Sequence, residues 1–236
     1  MNWESPLRPA ELTESRLIAA ILDGTFPINS QLPAERELSD QLGVTRPTLR
    51  EALQRLGRDG WLEIHQGKPT RVRNYWQEGN LGLLNALTRD LEKLPPDFVA
   101  QLLEVRISLA PEYAALAVAR HPAEVARILA PYRDLADTAV VYSEADWLLH
   151  HHLTIASANP VYTLILNGFS SLYRLFGPVY FAVEANRRHS QAFYRELEAA
   201  ALKKDPQAAR SITLRIMTES LENYHKLNST NTGGDL

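Results

Sequence analysis

The sequence predicts a mainly α-helical protein, with an N-terminal winged helix-turn-helix that carries a small β-hairpin, followed by an all-α helical bundle. Three observations predict this class. Two short apolar ladders meet at a glycine at residue 43, alternating residues flank a turn at 66–69, and helical periodicity continues from residue 81. The predicted parts are a head at 1–74, a linker at 75–80, a helical domain at 81–228 and a disordered tail at 229–236.

The composition is that of an ordinary globular protein. The chain has 236 residues, of which 45% are hydrophobic and 22% charged. It has no cysteine, which excludes disulfides, thiolate catalysis and cysteine-ligated zinc. We expect a cytoplasmic protein without a membrane segment, because no apolar run approaches the roughly 18 residues of a membrane span and no secretory signal pattern is visible. The net charge of −3 argues against a protein whose whole surface binds nucleic acid or membrane, but it is compatible with a local basic site.

The head begins with a helix, a tight turn and a second helix. At about 100° per residue, residues 46–58 form a helix with one apolar and one largely basic face. The apolar face holds Leu49, Ala52, Leu53 and Leu56, and the other holds Arg46, Pro47, Arg50, Gln54 and Arg58. Gly43 permits a left-handed exit from the first helix, and Thr45 is a favourable N-cap for the second. Arginines in this first turn are typical of a recognition helix, because their planar fork can hold guanine or a phosphate.

The hairpin extends the basic surface. "WLEIH" (61–65) and "TRVRN" (70–74) alternate around the turn "QGKP", and a small Gly-Lys tip suits the minor groove. Residues 46–73 hold seven basic side chains against three acidic ones. An alternative stays open for each arginine taken alone. Arg50, Arg55 and Arg58 can also form a solvated face that pairs with Glu51 and Asp59 within the helix.

The rest of the chain predicts helix after helix. The predicted helices cover about 81–92, 97–119, 122–139, 144–157, 160–182, 185–203 and 206–227. Prolines stand where several of them should begin, at a position where the missing N–H costs nothing. Pro178 falls inside a helical pattern, so we expect it to kink or break the helix at 160–182.

These motifs resemble a known family. "PAERELSDQLGVTRPTLREALQRLGRDGWL" (33–62) is similar to the winged helix-turn-helix of the GntR family of bacterial transcription regulators. "ASANPVYTLILNGFSSLY" (156–173) and "GPVYFA" (177–182) extend the resemblance to its fatty-acid-responsive branch. The resemblance implies a homodimeric regulator of fatty acid metabolism, which represses fatty acid degradation and activates unsaturated fatty acid synthesis. It also implies release from operator DNA by long-chain acyl-CoA.

The resemblance also implies the contact residues. The DNA-binding set is Arg36, Thr45, Arg46, Pro47, Thr48, Arg50, Gln66, Gly67 and Lys68. In that branch the wing tip reads His-Gly-Lys, whereas here Gln66 follows His65. The set that corresponds to the acyl-CoA site is Leu102, Leu103, Arg106, Phe169, Tyr173, Tyr180, Tyr194, Arg215, Met217, Ser220 and Tyr224. Met217 stands in place of a glycine, and Tyr224 in place of a tryptophan. No cofactor is expected beyond this effector.

A metal site and an enzyme are the alternatives to this interpretation. Members of the wider family often bind a metal through an Asp, a His four residues later and two further His. Asp146 and His150 have that spacing, but Tyr194 and Ile216 occupy the other two positions, so we predict no metal site. The alternative is a GntR-family regulator that responds to a different small carboxylate, possibly metal-bound. No catalytic triad motif or phosphate-binding glycine loop indicates an enzyme.

Overall fold

The computed structural model describes residues 8–65, 67–87, 94–95 and 97–231. The chain divides into two compact units, Met1–Leu94 and Pro95–Leu236. The predicted fold class is confirmed: the described residues are mainly helical, and their sheet is one two-stranded hairpin in the first unit. Among these residues, no helix combines the length and the apolar character that crossing a membrane requires.

The first unit contains the predicted helix-turn-helix and wing. Its elements are α1 (Pro9–Leu22), α2 (Glu35–Leu42), α3 (Arg46–Asp59), β1 (Leu62–Glu63), β2 (Arg71–Val72), α4 (Tyr75–Glu78) and α5 (Gly82–Leu87). Gly43 ends α2 in the left-handed region at φ 65°. The Thr45 hydroxyl caps α3 by accepting from the Thr48 N–H at 3.4 Å. The predicted linker at 75–80 contains the short helix α4 and groups with this unit.

The apolar face of α3 forms the core of the head. Leu49, Ala52, Leu53 and Leu56 are all buried, and so are Leu38 on α2 and Leu17 on α1. The wing pairs Leu62 with Val72 and Glu63 with Arg71 in antiparallel register. An isolated bridge from Gln31 to Arg71 adds a third short partner to the hairpin. The pairing is shorter than the alternation at 61–65 and 70–74 predicts.

The second unit is entirely helical where it is described. Its elements are α6 (Phe98–Arg120), α7 (Pro122–Leu129), a 3₁₀ helix (Ala130–Asp134), α8 (Ala139–Ala156), α9 (Pro160–Gly168), α10 (Ser170–Ala182), α11 (Glu184–Leu202) and α12 (Pro206–Asn231). α12 therefore extends into the first residues of the segment that the sequence predicts as a disordered tail. The core of the second unit is one apolar cluster, with members on α6, α7, α8, α10, α11 and α12.

Two predicted helices are wrong in their limits. The single helix at 122–139 ends instead at Leu129, because Pro131 follows and the chain tightens into a 3₁₀ turn. The next helix begins at Ala139, five residues earlier than predicted. There the Thr138 hydroxyl accepts from the Val141 N–H at 3.4 Å and caps the new helix.

Of the predicted kink or break at Pro178, the break does not occur. α10 continues through Pro178, and the interruption of the 160–182 pattern lies at Phe169, between α9 and α10. α6 likewise continues through Pro111. A proline removes one hydrogen-bond donor from a helix, and a helix whose neighbouring turns are packed on both sides can tolerate that loss.

Candidate functional sites

The residues predicted to contact DNA lie on the outer side of the head. Arg36, Thr45, Arg46, Pro47, Arg50, Gly67 and Lys68 are exposed, and Thr48 is half-buried. Gln66 lies outside the described residues. Gly67 adopts φ 75°, the left-handed conformation that a tight hairpin turn requires and that glycine adopts without strain. The structure thus brings the first turn of α3 and the wing tip to the surface of one unit.

The basic side chains of α2, α3 and the wing tip differ in how far other side chains of the head engage them. Arg36, Arg46, Arg58 and Lys68 are exposed and form no ion pair or side-chain hydrogen bond within the described part of the chain. Arg50 Nε donates to Glu35 Oε2 at 2.7 Å, and no described contact engages its two terminal amino groups. Arg55, by contrast, is held by Glu51 at 2.6 Å and lies 3.8 Å from Glu14. The sequence left open that Arg50, Arg55 and Arg58 pair with acidic residues of the same helix. Among the described contacts, Arg55 alone forms such a pair.

The base of the wing is a network of charged side chains. The Glu63 carboxylate interacts with His65 Nε2 at 2.8 Å and accepts from Arg71 Nε at 2.6 Å. Hydrogen bonds from His65 and Arg71 lower the pKa of Glu63 to about 2. Arg71 also donates to Asn29 at 2.5 Å and so ties β2 to the turn after α1. These contacts fix the strands from which Gly67 and Lys68 project.

The second unit contains an apolar cavity of about 320 Å³, within the range of small-molecule sites. Eight of the predicted ligand residues line it: Leu102, Leu103, Arg106, Phe169, Tyr173, Tyr180, Ser220 and Tyr224. Sequence reasoning missed other lining residues, among them Val99, Tyr113, Ile165, Leu166, Leu172 and Phe176. Their apolar periodicity was visible, but periodicity does not distinguish a cavity wall from a solid core.

Three predicted ligand residues lie outside the cavity lining. Tyr194 and Met217 are buried in the helical core. Arg215 is partly exposed and is paired with Glu196 at 2.6 Å and Glu219 at 3.3 Å. Their contacts with a ligand stay predictions, because these three side chains are not part of the cavity wall.

A buried carboxylate organises the polar groups behind the cavity wall. Asp146 Oδ2 accepts from Arg106 Nη2 at 2.8 Å and from the Tyr173 hydroxyl. Its Oδ1 accepts from the Tyr194 hydroxyl at 3.0 Å. Burial alone would raise the pKa of Asp146, but the Arg106 guanidinium, His150 and these two hydroxyls outweigh burial and lower that pKa below its usual value. Asp146 is therefore an anion inside the bundle, neutralised by Arg106.

His150 stands beside this carboxylate without completing a metal site. Its Nε2 lies 3.9 Å from Asp146 Oδ1, and its Nδ1 is 2.7 Å from the Tyr113 hydroxyl. Burial, together with the Arg106 charge, lowers the pKa of His150 to about 3. No group of three or more potential metal ligands occurs in the described part of the chain. The cation next to Asp146 is the guanidinium of Arg106.

Comparison with known proteins assigns two successive parts of the chain to families. Residues 9–72 match the "Bacterial regulatory proteins, gntR family", and residues 73–231 match the "FadR C-terminal domain". The chain belongs to the GntR family, with a FadR-type C-terminal domain. The exposed first turn of α3 therefore lies within the part of the chain that matches bacterial regulatory proteins.

Two relatives of this GntR-family chain are similar to it over most of its length. The "Fatty acid metabolism regulator protein" of Shewanella baltica (strain OS155 / ATCC BAA-1091) is 46% identical over 84% of this chain and 83% of its own length. That of Shewanella oneidensis is 45% identical over 84% and 82%. Among solved structures, Lar, which controls the expression of the Listeria monocytogenes agr system, has a TM-score of 0.61 at 16% identity, over 96% of this chain and all of that one. That last likeness is one of fold.

Proposed function

We propose that this protein is a homodimeric transcription regulator of fatty acid metabolism that leaves its operator when long-chain acyl-CoA binds the helical domain. In this proposal it represses fatty acid degradation and activates unsaturated fatty acid synthesis. The observation that carries the proposal is the apolar cavity in the FadR-type domain. The name of the Shewanella relatives supports the same physiological role.

The cavity favours an acyl chain over a small polar effector. Its wall is built mostly from leucine, isoleucine, valine and aromatic side chains, and an apolar chain gains free energy by leaving water for such a surface. The alternative is a different small carboxylate, possibly metal-bound, and Asp146 is the carboxylate that the sequence offers as a metal ligand. Both oxygens of that carboxylate already accept hydrogen bonds, one of them from a guanidinium.

A thermal-shift comparison separates the two effectors. A ligand that binds only the folded state raises the melting temperature. Oleoyl-CoA should therefore raise the melting temperature of the full chain, and short carboxylates with zinc should not. The opposite result would replace the acyl-CoA proposal by the metal-bound carboxylate.

The release of DNA is a coupling between two sites, and linkage makes it reciprocal. A hundredfold loss of operator affinity corresponds to about 2.7 kcal/mol of coupling free energy. Saturating operator DNA must then weaken oleoyl-CoA binding by the same factor. Titration of oleoyl-CoA with and without operator measures this, and equal affinities in the two titrations would contradict the allosteric proposal.

The homodimer follows from the geometry of operator recognition. One recognition helix reads one half-site, so two copies of the chain on a palindrome multiply specificity. Light scattering should give about twice the chain mass of 26.6 kDa. A monomer mass at micromolar concentration would contradict this part of the proposal.

A further inference from the structure

Three of the polar side chains that line the cavity are hydrogen-bonded to residues outside the lining. Arg106 and Tyr173 line the cavity, but Arg106 Nη2 and the Tyr173 hydroxyl both donate to Asp146. Tyr113 also lines the cavity, and its hydroxyl contacts His150 in the buried interior at 2.7 Å. Asp146 itself is not part of the lining. One carboxylate outside the lining therefore accepts hydrogen bonds from two of the polar side chains in the cavity wall.

Arg106 remains partly accessible after this pairing. The accessible fraction of its side chain is 21%, against 4% for Asp146. Since Arg106 lines the cavity, an acyl chain that fills the cavity lies against the Arg106 side chain. A guanidinium has five N–H donors, and one of them is hydrogen-bonded to Asp146. Without Asp146, a full positive charge would face an apolar ligand, which is unfavourable unless the ligand supplies an anion.

We propose that Asp146 is a positioning residue that sets the ligand class of the cavity, making it accept an uncharged acyl chain and disfavour a carboxylate. Asp146 neutralises Arg106, so an incoming carboxylate finds no free cation and approaches a buried negative charge outside the cavity lining. The carboxyl carbon of an acyl thioester is esterified and uncharged, whereas a free fatty acid carries a carboxylate. The inference rests on the proposed function, in which the cavity binds an acyl chain.

The experiment measures the dissociation constants of oleoyl-CoA and oleate for the full chain by calorimetry, below the concentration at which either forms micelles. The decisive quantity is the ratio of the oleate constant to the oleoyl-CoA constant. Asp146→Asn leaves Arg106 without its counter-charge, so oleate should gain and oleoyl-CoA should lose affinity. We expect the ratio to fall at least tenfold.

Two further variants distinguish this role from a merely structural one. Arg106→Met reverses the imbalance by leaving Asp146 without its cation, so the ratio should rise at least threefold. Tyr194→Phe removes a hydrogen bond to the same carboxylate from a side chain outside the cavity lining. It should leave the ratio within about threefold of that of the unaltered protein, because Arg106 stays paired.

The outcomes separate this inference from the proposed function. An unaltered protein that does not bind oleoyl-CoA would overturn both. An unaltered protein that binds it, with Asp146→Asn weakening both ligands in equal proportion, would overturn the role of Asp146 alone. Should Asp146→Asn fail to fold, Arg106→Met decides: an unchanged ratio in that variant would equally overturn the inference.

Discussion

The two units use arginine in opposite ways. In the head, Arg46 is exposed at the first turn of α3 and forms no ion pair with a described residue. In the helical unit, Arg106 is paired with a buried carboxylate 40 residues away in sequence. A charge left unpaired by the fold is available to an external phosphate or base, whereas a charge neutralised inside the fold shapes an apolar site. The difference lies in what surrounds each side chain and not in its chemistry.

The largest expected effect comes from separating the buried pair. Asp146→Ala should lower the free energy of unfolding by about 3–5 kcal/mol, because it leaves the Arg106 charge buried without a partner. The double substitution Arg106→Met with Asp146→Leu removes both charges and should cost far less. Urea unfolding measures both variants, with the exposed substitution Arg46→Ala as the control that should leave stability unchanged. A double variant as unstable as Asp146→Ala would refute the importance of the pair.

The exposed arginines should act on DNA binding instead of stability. Arg46→Ala and Arg50→Ala should each weaken operator binding by about 1–3 kcal/mol, the usual loss for a bidentate base contact. Random-sequence DNA, measured in the same salt, should be affected less, because phosphate contacts supply most of that affinity. Fluorescence anisotropy gives both values. Unchanged operator affinity in both variants would mean that α3 is not the recognition helix.

Acid should weaken the helical unit through His150. Its pKa in the folded chain is about 3, against 6.5 when unperturbed, so the unfolded chain takes up a proton that the folded chain does not. Stability is therefore fully present above pH 6.5 and is lost as the pH falls toward 3, by at most about 1.4 kcal/mol per pH unit.

The control for this pH dependence is His150→Gln, which cannot take up that proton. Its unfolding free energy, measured by urea denaturation across the same pH interval, should decline less steeply than that of the unaltered protein. Equal slopes in the two proteins would show that His150 is not the group responsible.

The smallest expected effect comes from Arg55, which tests whether a paired arginine of the head differs in function from the exposed ones. Arg55 is paired with Glu51 and lies near Glu14, so it is a structural arginine on the same helix as Arg46 and Arg50. Arg55→Ala should lower the stability of the head by at most about 1 kcal/mol, as is usual for a pair of this exposure, and leave operator affinity unchanged. A large loss of operator affinity without a loss of stability would place Arg55 among the DNA contacts.

Local features of the helices were predictable when the residues that form them are close in sequence. Gly43 ends α2 and Thr45 caps α3 as predicted, because a left-handed turn and a side-chain cap each involve only a few neighbouring residues. The apolar face of α3 was equally predictable, because its apolar residues recur at helical spacing. That α10 continues through Pro178 was not predictable, because whether a helix breaks at a proline depends on the packing around it.

By itself, the sequence determined the fold class, the helix-turn-helix, the wing and the family, since these depend on local patterns and on contiguous motifs. The tertiary structure alone decided which basic residues are paired. Arg50 pairs with Glu35 between two helices, whereas Arg46 forms no ion pair or side-chain hydrogen bond with a described residue. It also decided that Tyr194 lies behind the cavity and Tyr173 in its wall, although both donate to Asp146. Asp146 and its three donors come from four different helices, and only the packing of those helices brings them to one carboxylate.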